Sequence, residues 1–304
     1  ILYKHQHGFR PHHSTSLALL HLIDQISSSI DNKELCIGVF LDLSKAFDTV
    51  HHEILLTKLE HYGIRGIAHD WIKNYLENRK QYVQYKNVSS DLNTVKCGVP
   101  QGSILGPLLF LLYVNDIVYS SETLKFILYA DDTSVFYSNK NPSLAFNTLN
   151  IELEKITKWL VANKLSINVK KTNYTIFKAR QKKLTLNNSN IIINKYVIER
   201  KMNLKFLGVF IDENLNWKQH IHVICGKLSR SIGIITRSKS LLSQASLFKL
   251  YFSLIYPYLY YGNIVWGSTY PSNLNRINIL HKRVIRIITN SAYDAHISPL
   301  FIDK

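Results

Sequence analysis

Two adjacent carboxylates, Asp131 and Asp132, lie between two apolar runs in the segment 124–138, LKFILYADDTSVFYS. The runs are rich in β-branched and aromatic residues and the interval between them is short, which is typical of a β-hairpin. Neighbouring carboxylates repel each other, so their position at the tip of an apolar hairpin calls for a cation. Carboxylate oxygens suit Mg²⁺. The alternative is an exposed turn with two solvated acids, because Asp is common in turns.

A third carboxylate ends another apolar strand run. In the segment 34–48, ELCIGVFLDLSKAFD, Asp42 follows the run and Phe47 stands five residues further on. If these strand ends converge, three carboxylates come together. Two-metal phosphoryl transfer needs such an arrangement, because one ion activates the attacking hydroxyl, the other stabilises the leaving oxygen, and shared carboxylates hold both ions.

Six blocks of sequence frame these acids. They read, in chain order, HGFRPHHST, FLDLSKAFDTV, GVPQGSILGPLLF, YADD, NKLSINVKKT and KFLGVFID. In this order and spacing the blocks resemble the reverse transcriptases of non-LTR, LINE-type, jockey-like retrotransposons, and the resemblance covers nearly the whole chain. It implies an RNA-directed DNA polymerase, a nucleotidyltransferase that extends a primer 3′-hydroxyl with deoxynucleotides. Two alternatives stay open: a group II intron or retron enzyme on the same palm, and a non-catalytic nucleic-acid-binding relic.

The resemblance implies an α+β fold, the right-hand polymerase, whose palm is a mostly antiparallel sheet backed by helices. We expect partial fingers over 1–33, a palm over 34–212 with a fingers insertion at about 52–96, and a helical, basic, thumb-like region over 213–304. Local sequence patterns add further expected elements. These are strands over 165–169 and 206–210, a hairpin of 184–186 with 191–198, a long helix after Asn141, and helices near 221–237, 244–261 and 274–288.

The resemblance also assigns metal ligands. Asp42 and Asp131 would hold two Mg²⁺ ions, assisted by the Leu43 carbonyl, and Asp132 would complete the acidic cluster, with Mn²⁺ as the alternative ion. Lys171 matches a lysine of the family and would neutralise or protonate the departing pyrophosphate. A solvated lysine is the alternative at that position.

Four further residues are expected to contact the incoming nucleotide. By resemblance, Arg10 would lie near the triphosphate, where a fork-shaped guanidinium suits phosphate. Phe47 would act as an aromatic steric gate against a 2′-hydroxyl. Gln101 and Gly102 belong to a loop that would read the template base and the nucleotide sugar. The alternatives are a solvated arginine, a core phenylalanine and a plain helix-entry turn.

Charge points to a polyanionic partner. The chain has a formal charge of +16 and a pI near 9.6. Residues 200–304 contain 14 Lys and Arg against 4 Asp and Glu, so +10 of that charge lies in the last third. We expect an RNA template and a DNA primer to bind there, with Lys282, Arg283 and Arg286 on backbone phosphates. General solubility is the alternative reading of the charge.

Other features bound the class of protein. No apolar run has the length of a membrane span and no signal peptide is recognisable, so we expect no membrane partner and no secretion. The three cysteines have no CxxC spacing, which favours reduced thiols in the nucleus or cytoplasm. The sequence opens on Ile1 and its one methionine is Met202, so we expect a piece of a longer protein or a degraded copy. Oligomeric state, target site and template specificity stay open.

Overall fold

A computed structural model of the chain describes residues 1–181 and 190–296. The chain divides into two compact units, Ile1–Lys201 and Met202–Lys304. In the described ranges, no helix combines the length and the apolar character that crossing a membrane requires. The strand expected over 184–186 lies outside the described residues.

The first unit contains five α-helices and eleven strands within its described residues. The helices are α1 Thr15–Asp31, α2 His52–His61, α3 Ile67–Leu76, α4 Leu105–Val114 and α5 Pro142–Ala162. The strands are β1 Leu35–Leu41, β2 Lys80–Gln81, β3 Gln84–Tyr85, β4 Val88–Ser89, β5 Asn93–Thr94, β6 Lys125–Tyr129, β7 Asp132–Asn139, β8 Asn173–Phe177, β9 Ile192–Ile193, β10 Tyr196–Val197 and β11 Glu199–Arg200. Two 3₁₀ turns cover Ala46–Thr49 and Asn115–Ser120.

A five-stranded sheet in the order β11-β8-β1-β7-β6 forms the centre of this unit. Its strands pair antiparallel except for β11, which runs parallel to β8. The central strand β1 is almost entirely buried, which explains why its sequence is a continuous apolar run and does not alternate. Helices α1 and α5 pack against the sheet. The hairpin expected over 124–138 is therefore confirmed as β6 and β7.

Local signals for α5 are confirmed in detail. The helix begins at Pro142, and the Asn141 side chain accepts hydrogen bonds from the N–H groups of Ser143 (3.0 Å) and Leu144 (3.3 Å). Proline suits the first turn because its missing N–H is not needed there.

The strand expected over 165–169 is wrong: only Ile167 pairs, in a single bridge to Leu43.

The second unit combines one hairpin with helices. Strands β12 Asn203–Phe206 and β13 Val209–Asp212 precede the helices α6 Lys218–Ser238, α7 Gln244–Leu254, α8 Tyr256–Tyr260, α9 Asn263–Trp266 and α10 Pro271–Thr289. The single strand expected over 206–210 is wrong, because Leu207 and Gly208 have positive φ and turn the chain back on itself. The helix expected over 244–261 is interrupted before Pro257, which cannot donate within a continuous helix.

Candidate active site

The register of the sheet brings the three predicted carboxylates to one end of it. Leu41 pairs with Thr133 in the last register of β1 against β7. Asp42 follows Leu41 and Asp132 precedes Thr133, so both acids stand at the same end of neighbouring strands. Asp131 lies in the turn between β6 and β7. The pairing of β1 with β7 therefore brings the two strand ends together, as the sequence predicted.

The surroundings of Asp132 disfavour its ionised form. The pKa of Asp132 is raised to about 6, mainly because surrounding protein displaces water from its carboxyl, and further because of repulsion from Asp131 and Asp42. The residue as a whole keeps solvent access. A carboxyl whose ionised form is disfavoured, beside two further carboxylates and open to solvent, is a setting that a divalent cation stabilises, so the residues present fit a metal site.

The turn that carries Asp131 is held by the start of the chain. Ala130 has a φ of 55°, in the left-handed region that costs a non-glycine residue energy. The Gln6 side-chain oxygen accepts hydrogen bonds from the N–H groups of Ala130 (3.1 Å) and Gly8 (2.9 Å). A Cβ on Gly8 would lie 2.5 Å from the Ala130 nitrogen, so only glycine fits this approach. Sequence reasoning missed Gln6 and Gly8, although Gln6 precedes the block HGFRPHHST and Gly8 is its second residue.

Asp42 is fixed from the opposite side by residues 166–172. Its N–H donates to the Thr172 hydroxyl at 3.1 Å, and its carbonyl accepts from the Asn168 N–H at 2.8 Å. The Leu43 bridge to Ile167 is flanked by two backbone hydrogen bonds, the one from Asn168 to Asp42 and one from the Ser44 N–H to the Ser166 carbonyl at 2.8 Å. Leu43 and Ile167 make no backbone hydrogen bond with each other. In such a pair the carbonyl of the bridging residue is directed away from the partner strand. The Leu43 carbonyl is thus available on the side away from Ile167.

Phe47 lies in the 3₁₀ turn that follows this strand end. Its half-buried ring stacks on the buried ring of Phe110, with centroids 4.3 Å apart and an angle of 24° between planes. The exposed ring of Phe9 meets it edge-on at 6.5 Å. One part of Phe47 therefore belongs to the core, while another part remains accessible.

The loop with Gln101 and Gly102 is tied to the same 3₁₀ turn. The Gln101 amide donates to the Asp48 carboxylate at 2.7 Å. A Cβ on Gly98 would meet the Asp48 backbone at 2.8 Å, and its φ of +90° also favours glycine. Gly102 has a φ of +84° with open space around it. The structure thus brings this loop beside Phe47, which the linear sequence separates from it by about fifty residues.

Arg10 and Lys171 have different surroundings. The Arg10 guanidinium donates to the carbonyls of Tyr3 (2.7 Å) and Gln6 (3.1 Å), so part of it braces the segment that holds the Asp131 turn. Lys171 is exposed and immediately precedes Thr172, the residue bound to Asp42. Arg10 and Lys171 therefore each lie on, or bind to, a backbone segment that supports the acidic cluster.

The three predicted phosphate contacts lie on α10 of the second unit. Lys282 and Arg283 are exposed. Arg286 is half-buried, its Nε donates to the Ala295 carbonyl at 3.0 Å, and its guanidinium lies 5.9 Å from the Tyr293 ring centre. Of the three, Lys282 and Arg283 have the freer side chains.

We expect Asp132→Asn to raise the Tm of the metal-free protein at about pH 7. Its folded-state pKa lies above the ordinary value, so ionised Asp132 destabilises the fold above about pH 6, and this effect vanishes as pH falls toward about 4, where both states are protonated. Thermal unfolding across this range measures it. Asp91→Asn, which removes an exposed carboxylate outside the cluster, is the control. A gain that does not shrink as pH falls would contradict the prediction.

Comparison with known proteins agrees with this geometry. Residues 1–211 match the family described as "Reverse transcriptase (RNA-dependent DNA polymerase)". The probable RNA-directed DNA polymerase from transposon BS of Drosophila melanogaster is 30% identical over 96% of this chain and 33% of its own length. The RNA-directed DNA polymerase from mobile element jockey of the same species is 29% identical over 95% of this chain and 32% of its own length. The chain thus spans about a third of the length of these relatives.

A solved structure shows the fold. Telomerase from Candida albicans, in complex with a fragment of telomeric RNA, superposes with a TM-score of 0.52 at 12% identity, over 92% of this chain and 53% of that one. The expected α+β polymerase fold and the resemblance to non-LTR retrotransposon polymerases are both confirmed. With the family match extending over residues 1–211 and the retrotransposon relatives over nearly all of its length, this chain belongs to the reverse transcriptase family.

Proposed function

We propose that this chain is the polymerase portion of a non-LTR retrotransposon reverse transcriptase and extends a DNA primer with dNTPs on an RNA template. The observation that carries the proposal is the acidic cluster. Asp42, Asp131 and Asp132 come from two separate strand ends, and the pKa of Asp132 is raised, first by loss of water around its carboxyl and further by repulsion from the other two acids.

Asp42, Asp131 and the Leu43 carbonyl are the proposed ligands of two Mg²⁺ ions, with Mn²⁺ as the alternative, and Asp132 completes the cluster. When bound, the ions would activate the primer 3′-hydroxyl and stabilise the leaving oxygen. The chain itself contributes positioning, since phosphoryl transfer depends mainly on alignment and charge neutralisation. Gln6 and Thr172 serve that positioning, because their hydrogen bonds fix the two strand ends.

Substrate contacts are proposed from residues around the cluster. Phe47 would pack beneath the nucleotide sugar, and the loop with Gln101 and Gly102 would read the template base and the nucleotide sugar. Lys171 would neutralise or protonate the pyrophosphate. Arg10 would reach the triphosphate with the donors that its bonds to Tyr3 and Gln6 leave over, since a guanidinium offers five.

The proposal also assigns functional regions and a cellular location to the chain. Functionally, the chain would comprise partial fingers over 1–33, a palm over 34–212 with a fingers insertion near 52–96, and a thumb-like region over 213–304. Work in the nucleus or cytoplasm fits its cysteines, which are free in the described structure.

Template-primed incorporation tests the proposal. The 304-residue chain and a version extended upstream would be given an annealed RNA template and DNA primer, dNTPs and Mg²⁺. We expect primer extension that stops when Mg²⁺ is chelated. Template binding without extension by either protein would overturn the catalytic proposal in favour of a binding relic.

The basic face of α10 gives a separate prediction about affinity. Converting Lys282 and Arg283 to Gln should weaken template-primer binding uniformly across sequences and flatten log K against log salt by about one unit for each phosphate that is no longer neutralised. Adding Arg286→Gln should change the slope less, because that side chain already binds Ala295.

Binding isotherms at several salt concentrations measure the slope. Lys249→Gln is the matched control, since it removes an exposed lysine from α7. A slope that stays the same when Lys282 and Arg283 are replaced would make them a solvated surface only.

A further inference from the structure

Three imidazoles, none of them assigned a role above, converge near the start of the chain. His21 Nδ1 lies 3.3 Å from His5 Nδ1 and 3.1 Å from His7 Nε2. All three nitrogens lie within 4.8 Å of one another. Among the described residues, these histidines are the one group of three or more histidines, cysteines and acids whose ligand atoms all lie this close to one another.

Backbone structure explains the convergence. Residues 5–7 run alongside β6, where Gln6 forms a parallel bridge to Leu128. In extended chain alternate residues share a face, so His5 and His7 point one way while Gln6 points to the Asp131 turn. Helix α1 packs against β6 and carries His21. A His-x-His pair on extended chain thus faces a histidine on a helix.

Hydrogen bonding within the chain does not account for this arrangement. A ring nitrogen has either one proton or one lone pair in the ring plane, so His21 Nδ1 can make a well-aligned bond to one of its two neighbours only. His7 is 2% exposed, and among the described residues its Nδ1 has no hydrogen-bond partner. Burying an imidazole without compensation costs free energy.

The distances suit coordination. A tetrahedral ion bound to imidazole nitrogens at 2.0–2.1 Å separates those nitrogens by about 3.4 Å. The 3.1 Å and 3.3 Å contacts of His21 are close to this value. The third separation, between His5 and His7, is at most 4.8 Å, and a bound ion would draw these two rings closer together.

We propose that His5, His7 and His21 bind one transition-metal ion, with Zn²⁺ as its occupant. Three imidazole ligands without carboxylates favour zinc over the hard ions Mg²⁺ and Ca²⁺. Three histidines also leave a fourth position open to water. The ion ties residues 5–7 to α1, and Gln6 between the two ligands holds the Ala130 N–H. The ion therefore acts as a structural clamp behind the turn that carries Asp131.

Metal binding by the full chain tests the proposal without any activity measurement. Protein stripped with a chelator and titrated with Co²⁺ should bind one ion per chain at micromolar concentration, with the visible absorption of a tetrahedral site. Zn²⁺ should displace it and raise the Tm, because binding free energy adds to folding free energy. His7→Phe and His21→Ala should each abolish the absorption.

His12→Asn is the matched control, since it removes an exposed histidine from the same segment and asparagine tolerates its φ of 60°. X-ray absorption at the zinc edge of the wild-type protein keeps the test decisive if the cluster variants fail to fold. Ligation by three imidazole nitrogens and one oxygen, without sulfur, supports the proposal. Sulfur ligands, binding at millimolar concentration only, or undiminished absorption in folded His7→Phe would overturn it.

Discussion

Asp131→Asn is expected to abolish nucleotide incorporation while leaving template binding almost unchanged. The substitution keeps the size of the side chain and removes the charge that serves the metal ions. Loss of a metal-holding carboxylate should cost several kcal/mol of transition-state stabilisation, and about 1.4 kcal/mol already lowers the rate tenfold. Template binding should persist because one charge is small beside a formal net charge of +16 that is concentrated elsewhere.

Primer extension in Mg²⁺ and template affinity would be measured on the same preparations. Asp91→Asn serves again as the control, because it removes one exposed carboxylate without touching the cluster. More than a tenth of wild-type turnover in folded Asp131→Asn would sink the assignment. Equal losses of binding and turnover would instead indicate that the substitution disturbs the turn, which the hydrogen bond from Ala130 to Gln6 holds in place.

The second large effect concerns the choice of sugar. Phe47→Ala and Phe47→Val should raise insertion of ribonucleotides relative to deoxynucleotides at least tenfold, about 1.4 kcal/mol of lost discrimination. If Asp42 holds a metal ion on the triphosphate, the chain that leaves this strand end passes beneath the same nucleotide's ribose. A bulky ring there excludes a 2′-hydroxyl.

Stacking of Phe47 on Phe110 makes a stability loss expected as well. A fully buried phenylalanine cut to alanine costs roughly 3 to 5 kcal/mol, and half-buried Phe47 should cost less. Phe177→Leu is the control, since it perturbs a fully buried ring of the same unit that pairs with Cys36, at the end of β1 opposite Asp42. The measurement is kcat/KM for dNTP and rNTP insertion side by side. A soluble, active Phe47→Ala with the wild-type ratio would show that the ring does not touch the sugar.

Three of the tests do not require polymerase activity. They concern Asp132, the basic face of α10 and the histidine cluster. Stability of metal-free Asp132→Asn and Co²⁺ binding by the histidines need no turnover. Salt dependence at Lys282 and Arg283 needs binding only. Failure of the polymerase proposal would leave these three measurements interpretable.

Local sequence by itself determined the elements that carry the candidate site. The β-branched and aromatic runs around Asp131 specify a hairpin, the apolar run before Asp42 specifies a buried strand, and Asn141 with Pro142 specifies the start of α5. These signals are local, because strand propensity, helix capping and the conformation of proline act within a few residues. The blocks that resemble reverse transcriptases added the order in which such elements assemble.

Only the tertiary structure decided what lies around those elements. Gln6 reaches Ala130 from more than a hundred residues away in the sequence, Thr172 reaches Asp42 across a similar separation, and His21 meets His5 and His7 only because α1 packs on β6. Such contacts depend on register and packing between distant segments, and no pattern of a few residues encodes them. The misread strand at 165–169 has the same cause, because an alternating apolar sequence becomes a strand only where a partner continues to pair with it, and past Ile167 none does among the described residues.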